Sequence, residues 1–425
     1  MNYLKGKKIL FLGASTYFYE AAKYAKVNGA KVIAIDRRPR KECVVKQIAD
    51  EEYSMDTTDV DAIVKLIRDR KIDGIYPGAS EVNIPIQIEV ALKTGLNTYC
   101  TKAQWEMSTN KDIFKDTCIK YDLQVTPVYK INNPNDAKEI SKLQFPIVTK
   151  PVDNNGSTGI TICEKFEEFS YAYNKAKKSS KRGKVLVEKK MNYKDSLIAH
   201  YTAQNGEIIF CGLTDKESKK IDEDSAPVMS IQFMPSKLTN DFKKSVNNKI
   251  INMLKGEGLK YGPIWIEIFY DGNNFILNEI GYRYGGSLTY YPVDYFFGIN
   301  QMHILMTYLA TGKDLYDNFN TTKELEEKKN HKYCILPLQV NSGIIKDIIG
   351  LNEILSKKFV YGFIQSHIID DIIEETGTTS QVFGYIHLVA EDKQELLKYI
   401  DIVNTSLKII DEKGNNMLDI LYCRN

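Results

Sequence analysis

Ile264-Trp265-Ile266-Glu267-Ile268-Phe269-Tyr270 and Asn274-Phe275-Ile276-Leu277-Asn278-Glu279-Ile280 are two apolar runs joined by Asp271-Gly272-Asn273. Asp-Gly between two such runs is a strong hairpin signal. Each run carries one glutamate among apolar neighbours, Glu267 between Ile266 and Ile268 and Glu279 beside Ile280. An unpaired buried carboxylate is very costly, so each should be paired or metal-bound. Across an antiparallel hairpin the two can face one side, where carboxylates bridged by Mg²⁺ and nucleotide phosphates form a hard-ion site. Period-2 alternation then turns Gly281 and Arg283 toward the side of Glu279. The competing reading is a surface hairpin with an ion pair.

Upstream, the strand Phe145 to Lys150 leads through Asp153-Asn154-Asn155-Gly156-Ser157-Thr158-Gly159 into a second strand, Ile160 to Cys163. Gly156 and Gly159 can let successive backbone N–H groups curl round an anion, or the segment is only a flexible hairpin turn. Lys150, at the end of the first strand, can reach phosphate oxygens beside such a loop. Further strands are expected near 185–188, 197–203 and 207–214, with a polar, solvated loop at 215–227 and a helix over about 238–256.

The first hundred residues read differently. A short apolar run over 7–14 ends in Gly13, and a helix-period stretch (17–28) and a second run, Lys31 to Ile35 closed by Asp36, follow. This is a β-α-β unit, repeated by a helix at 59–70 and the strand 74–76. A dinucleotide fingerprint would need glycine where Ser15 and Phe18 stand, so an ordinary structural turn is favoured over cofactor binding. Beyond about 330, strands (333–338, 382–390) and a helix (393–406) form a third region without a chemical motif.

The whole chain, 425 residues with 43% hydrophobic and 26% charged, has the proportions of a globular protein of several domains. Lys+Arg 57 against Asp+Glu 55 gives +2, so no overall charge imbalance points to nucleic acid or to an anionic membrane surface. The seven cysteines are scattered, with no zinc-ligand spacing, and suggest reduced thiols in a cytoplasm. No stretch reaches the ~20 apolar residues of a membrane span. The histidines show no partners and are read as structural. The tyrosines at 282, 284, 290 and 291 either line an acceptor pocket or belong to the core.

Taken together these motifs resemble the ATP-grasp superfamily, of biotin carboxylase and carbamoyl-phosphate synthase-like fold, and within it the carboxylate–amine (amino-acid) ligase branch. The resemblance implies an α/β and α+β architecture. A Rossmann-like parallel-sheet pre-ATP-grasp domain would occupy 1–108, an ATP-grasp domain 109–312 with a small lid subdomain at about 128–190, and a mixed α/β domain 313–425. It implies that ATP is bound by Lys111, Lys150, the lid residues Gly156, Ser157, Thr158 and Gly159, the hinge residues Glu188, Lys189 and Met191, and Asp195 at the ribose. Glu267 and Glu279 would hold Mg²⁺ or Mn²⁺, and Arg283 would be the catalytic clamp on the carboxylate or acyl-phosphate. The family commonly has Asn where this chain has Gly281, so another group must complete a second metal's shell.

Biotin carboxylases continue past the arginine with a Gln-Val-Glu-His-like run, replaced here by Tyr284-Gly285-Gly286-Ser287. An amide-forming ligase is therefore favoured over a carboxylase or carbamoyl-phosphate synthase-like enzyme and over a non-catalytic ATP-binding protein. Small-molecule carboxylate and amine substrates, no nucleic acid or membrane partner, a homodimer and a cytoplasmic location complete the expectation.

Overall fold

The computed structural model describes residues 3–153, 159–220, 227–316, 323–419 and 422. Near the N-terminus a four-stranded sheet runs in the order Glu51–Tyr53, Lys31–Ile35, Lys8–Leu12, Gly74–Tyr76. All its pairings are parallel. The strands KILFL and KVIAI are almost wholly buried, as expected of a sheet covered by helices on both faces.

In an open parallel sheet, ligands bind where the strand order reverses, here between Lys8–Leu12 and Gly74–Tyr76. Phe18 fills that crevice. A Cβ on Gly13 would lie 2.8 Å from its ring, and so would one on Gly78. Both glycines have positive φ, 127° and 63°, which a larger residue rarely adopts. Asp36 is also spent, since its carboxylate accepts from the Ala14 N–H (3.1 Å) and from Arg38. The dinucleotide reading therefore has no room and no free ribose acid.

A nine-stranded antiparallel sheet forms the body of the molecule. Its order is Phe275–Gly281, Gly262–Tyr270, Asp195–Gln204, Glu207–Lys219, Val228–Met234, Lys332–Val340, Val382–Ala390, Val360–Gln365, with Leu418–Asp419 paired to the end of Lys332–Val340. The third region thus continues the sheet that carries the glutamates. The helix Asn248–Gly256 packs on one face through Ile250, Met253 and Leu254, and the site lies on the other. Val128–Tyr129, Val185–Lys189, Ile147–Pro151 and Thr161–Cys163 form a separate four-stranded sheet in that order.

One expectation is corrected. Residues 215–219 are the end of the strand Glu207–Lys219, with Lys216 opposite Gln232 and Asp215 opposite Phe233. The Asp-Lys-Glu-Ser-Lys sequence offers no apolar alternation, and pairing with Val228–Met234, joined at Asp215 and Lys216 by pairing with Asp195–Gln204, holds it extended. Residues 221–226 lie outside the described residues. Among those described, no helix is long and apolar enough to cross a membrane.

Candidate active site

The hairpin pairs Glu267 directly opposite Glu279, so both carboxylates start from one face. The next pair in register is Ile268 with Leu277, which leaves Asn278 as the extra residue of a β-bulge. A bulge breaks the period of two and re-aims a side chain. Asn278 accordingly joins the site beside Glu279. Its Nδ2 donates to Glu267 Oε2 at 2.7 Å and its Oδ1 accepts from Lys150 Nζ at 3.2 Å.

Cations surround the two acids. Lys111 is the first residue of the helix Lys111–Lys120, whose start is fixed by the Asn110 side chain accepting from Asp112 and Ile113. Its ammonium lies 3.3 Å from Glu279 Oε2. Lys216 is paired with Glu267 Oε1. Burial alone would raise the Glu279 carboxyl, but Lys111, Lys150 and Lys216 hold it below the usual glutamate range. Burial would likewise lower the Lys216 ammonium, which Glu267 and Glu279 hold up.

Behind Lys150 lies Glu188, only 3% exposed. Its two oxygens contact Lys115 and Lys150, each at 2.6 Å. Burial opposes ionisation of this carboxyl, but Lys150 and then Lys115 hold it below its usual range. The Glu188 side chain thus aims Lys150; Lys189, which is exposed, ends that strand, and the partly buried Met191 follows just beyond it.

Arg283 crosses to the N-terminal sheet. Its Nη2 pairs with Glu81, its Nη1 donates to the Tyr284 carbonyl at 3.1 Å, and the guanidinium lies 5.6 Å from the centre of the Trp265 ring. Arg283, Glu81, Lys111, Glu279 and Trp265 line a cavity of about 120 Å³. A second cavity of about 210 Å³, bordered by Asp153 and Arg182, shares Glu81, Thr109 and Asn110 with the first.

The structure therefore brings Lys111, Lys150, Glu188, Glu267, Glu279 and Arg283 into one connected cluster. Asp195 stands apart, paired with Lys237 at 2.9 Å on the wall of a larger cavity of about 740 Å³ that also borders Lys216. Gly159 is buried where the strand Thr161–Cys163 begins, while Gly156, Ser157 and Thr158 lie outside the described residues.

The acceptor-pocket reading of the tyrosines gives way to the core reading for Tyr282, Tyr284 and Tyr290, each at most 3% exposed. The Tyr282 hydroxyl lies between the carbonyls of Tyr99 (3.1 Å) and Tyr261 (2.7 Å), and that of Tyr284 meets Tyr76 at 2.6 Å.

Lys115, Lys216, Asn278, Glu81 and Trp265 were not singled out from sequence. Only Lys115 carried a readable signal, four residues after Lys111 and hence on the same helix face.

The donor set fits Mg²⁺. Among the described residues no cluster of three or more His, Cys, Asp or Glu forms, and Mg²⁺ bound with a nucleotide needs only one or two carboxylates, the phosphates and water. Glu267 and Glu279, paired in register, would supply the carboxylates, and the bulge sets the Asn278 amide beside them although position 281 is glycine.

Residues 143–290 match the model of an ATP-grasp domain. The chain is 28% identical over 283 residues, 65% of its length and 70% of the relative's, to a formate-dependent phosphoribosylglycinamide formyltransferase of Prochlorococcus marinus subsp. pastoris. Its fold is similar to that of a phosphoribosylglycinamide synthetase from Anaerococcus prevotii, with TM-score 0.73 and 20% identity over 96% of this chain and 100% of the other. It is also similar to that of an L-amino acid ligase from Bacillus licheniformis, with TM-score 0.77 and 16% identity over 96% of this chain and 99% of the other. A domain match over the very strands that carry the acidic pair, set in a fold shared along nearly the whole chain, gives this protein an ATP-grasp domain within an ATP-grasp fold.

Proposed function

We propose that the protein is a carboxylate–amine ligase that activates a small acid as its acyl-phosphate and transfers the acyl group to an amine. The observation that carries this reading is the junction of two half-sites. Lys111, Lys150, Glu267 and Glu279 form a phosphate- and metal-binding half, and Arg283 and Glu81 extend it into an adjoining cavity of about 120 Å³ that Lys111 and Glu279 also border. That size suits a small acid, in keeping with the formate-dependent relative.

In the first step a carboxylate oxygen bonds to the γ-phosphorus of ATP and ADP leaves. In the second, the amine nitrogen bonds to the acyl carbon, phosphate departs with one former carboxylate oxygen, and the nitrogen loses a proton. The protein's part is positioning and charge neutralisation. Lys111 and Lys150 lie against the phosphates, and Glu188 keeps Lys150 extended toward them. Arg283, held by Glu81 and Trp265, clamps the acid. Glu267, Glu279 and Asn278 would hold Mg²⁺, which when bound neutralises phosphate charge. The lid, with Gly156, Ser157, Thr158 and Gly159, would close over the phosphates and exclude water, while Lys189 and Met191 border the base and Asp195 the ribose. The amine would enter through the cavity of about 210 Å³ and meet the acid at Glu81.

Six buried, unpaired cysteines among the described residues suit the reducing cytoplasm in which we place the enzyme. A homodimer, the family-level expectation, is open to light scattering.

An oxygen-labelled acid distinguishes this chemistry from simple ATP hydrolysis. With [¹⁸O]formate, Mg-ATP and an amine acceptor, one label per turnover is expected in inorganic phosphate. Phosphate free of label, released in proportion to product, would rule out the acyl-phosphate route.

A further inference from the structure

Both oxygens of Glu267 are engaged within the protein. Oε1 is paired with the Lys216 ammonium, and Oε2 accepts from Asn278 Nδ2 at 2.7 Å. A metal ion ligated by Glu267 needs one of those oxygens. Asn278 can remain, since turning its amide presents an oxygen to a cation. An ammonium has three donors and no acceptor, so Lys216 cannot share a metal's shell.

Lys216 also reaches Glu267 from a distance. Its strand, Glu207–Lys219, is separated from Gly262–Tyr270 by the width of Asp195–Gln204, which pairs with both. Neighbouring strands lie about 4.8 Å apart, so backbones two strands apart are about 10 Å from each other and the lysine is stretched across the gap. Ser196, opposite Lys216 on the middle strand, is small enough to leave that crossing open. Holding a long side chain at full stretch gives up rotamer freedom that retraction restores. Lys216 borders the cavity of about 740 Å³, which gives a retracted side chain room.

Resting on the metal role proposed above for Glu267 and Glu279, we infer that Lys216 and the metal are alternative occupants of one position against Glu267. Entry of a divalent cation displaces the Lys216 ammonium, which withdraws toward the cavity of about 740 Å³. The exchange makes metal alone a weak ligand and metal carried by a nucleotide a strong one. Only the nucleotide brings phosphates whose charge offsets the added cation beside Lys111 and Lys150.

The test reads Mn²⁺ binding by electron paramagnetic resonance on the full chain, without nucleotide, acid or amine. Lys216→Met keeps a long side chain and removes the charge. A competing state populated at about nine-tenths lowers apparent affinity about tenfold, so this variant should bind Mn²⁺ about tenfold tighter than the wild type. Lys150→Met controls for charge alone. Among the described residues Lys150 contacts Asn278 and Glu188 rather than an oxygen of the acidic pair. Its gain should stay below about threefold, because the charge removed lies farther from the ion. In the wild type, acetic anhydride labelling of Lys216, read by peptide mass spectrometry, should rise severalfold at saturating Mn²⁺.

Equal Mn²⁺ affinity in wild type and Lys216→Met, or an equal gain in Lys150→Met, overturns the inference. Should Lys216→Met not fold, the wild-type labelling decides alone, and labelling unchanged by Mn²⁺ overturns it as well. Glu279→Gln separates the exchange from the metal assignment beneath it. Mn²⁺ uptake unaltered in Glu279→Gln removes the metal role of the pair and the exchange with it. Uptake lost in Glu279→Gln but equal in wild type and Lys216→Met removes the exchange alone. Neither acid nor amine enters this test, so failure of the ligase reading leaves its result standing.

Discussion

Glu279→Gln is expected to lower ligase turnover by roughly a thousandfold, the upper range for loss of one preorganised electrostatic group in an active site. The substitution keeps shape and removes the charge that answers Lys111 at 3.3 Å and that, opposite Glu267, forms the acidic pair. Because Glu279 is half-buried at the cavity wall rather than inside the core, the circular dichroism spectrum and melting curve should stay close to those of the wild type. Steady-state ADP release at saturating Mg²⁺ measures the effect. A variant that turns over at near-native rate would remove the metal assignment for this pair.

Glu188→Gln should act on stability instead. Breaking a buried ion pair by removing one partner typically costs about 3–5 kcal/mol, because it leaves an uncompensated buried charge. Here one carboxylate answers two buried ammonium groups, Lys115 and Lys150. Glu188 titrates below its ordinary value near 4.5, so its contribution is fully present above that pH and is lost as pH falls through the depressed folded value. That acid-labile component should vanish in the variant.

Burial pushes the Lys115 ammonium down even with Glu188 present. Without Glu188 the folded chain should release that proton more readily than the unfolded chain. The deficit should therefore be largest near neutral pH and shrink as pH rises toward the usual lysine range. Urea melts of both proteins at a series of pH values measure this. A Glu188→Gln deficit below about 1 kcal/mol, independent of pH, would show that the triad contributes little.

What was legible in the sequence followed local periodicity. The hairpin around Asp271-Gly272, with its glutamates twelve residues apart, could be read because apolar alternation and turn chemistry agree, and the register places the two acids opposite each other. Lys150 stood at a strand end that local signals also mark, whereas Lys111 came from the family resemblance alone.

Asn278 was not readable as a site residue. Strict alternation puts it on the face opposite Glu279, and only the bulge reverses this. Lys216 was hidden by five polar residues that look like a loop and form a strand because both neighbouring strands pair with it. Glu81 lies in the turn after the strand Gly74–Tyr76 of the N-terminal sheet, and its approach to Arg283 across 202 positions depends on tertiary packing. The reason for glycine at 281 was invisible for the same kind of cause: Trp265, opposite it on the neighbouring strand, fills the space a side chain would need, with a Cβ there only 2.3 Å from the indole ring.

The central claim is that this site joins an acid to an amine at the expense of ATP. The most direct test is ADP and phosphate release with Mg-ATP against a panel of small acids and amines, offered singly and in pairs, with mass spectrometry of the products. Release that requires a particular pair, with a product mass equal to the sum of the two less one water, is the predicted result. ADP release that proceeds without either partner and yields no condensed product would contradict it.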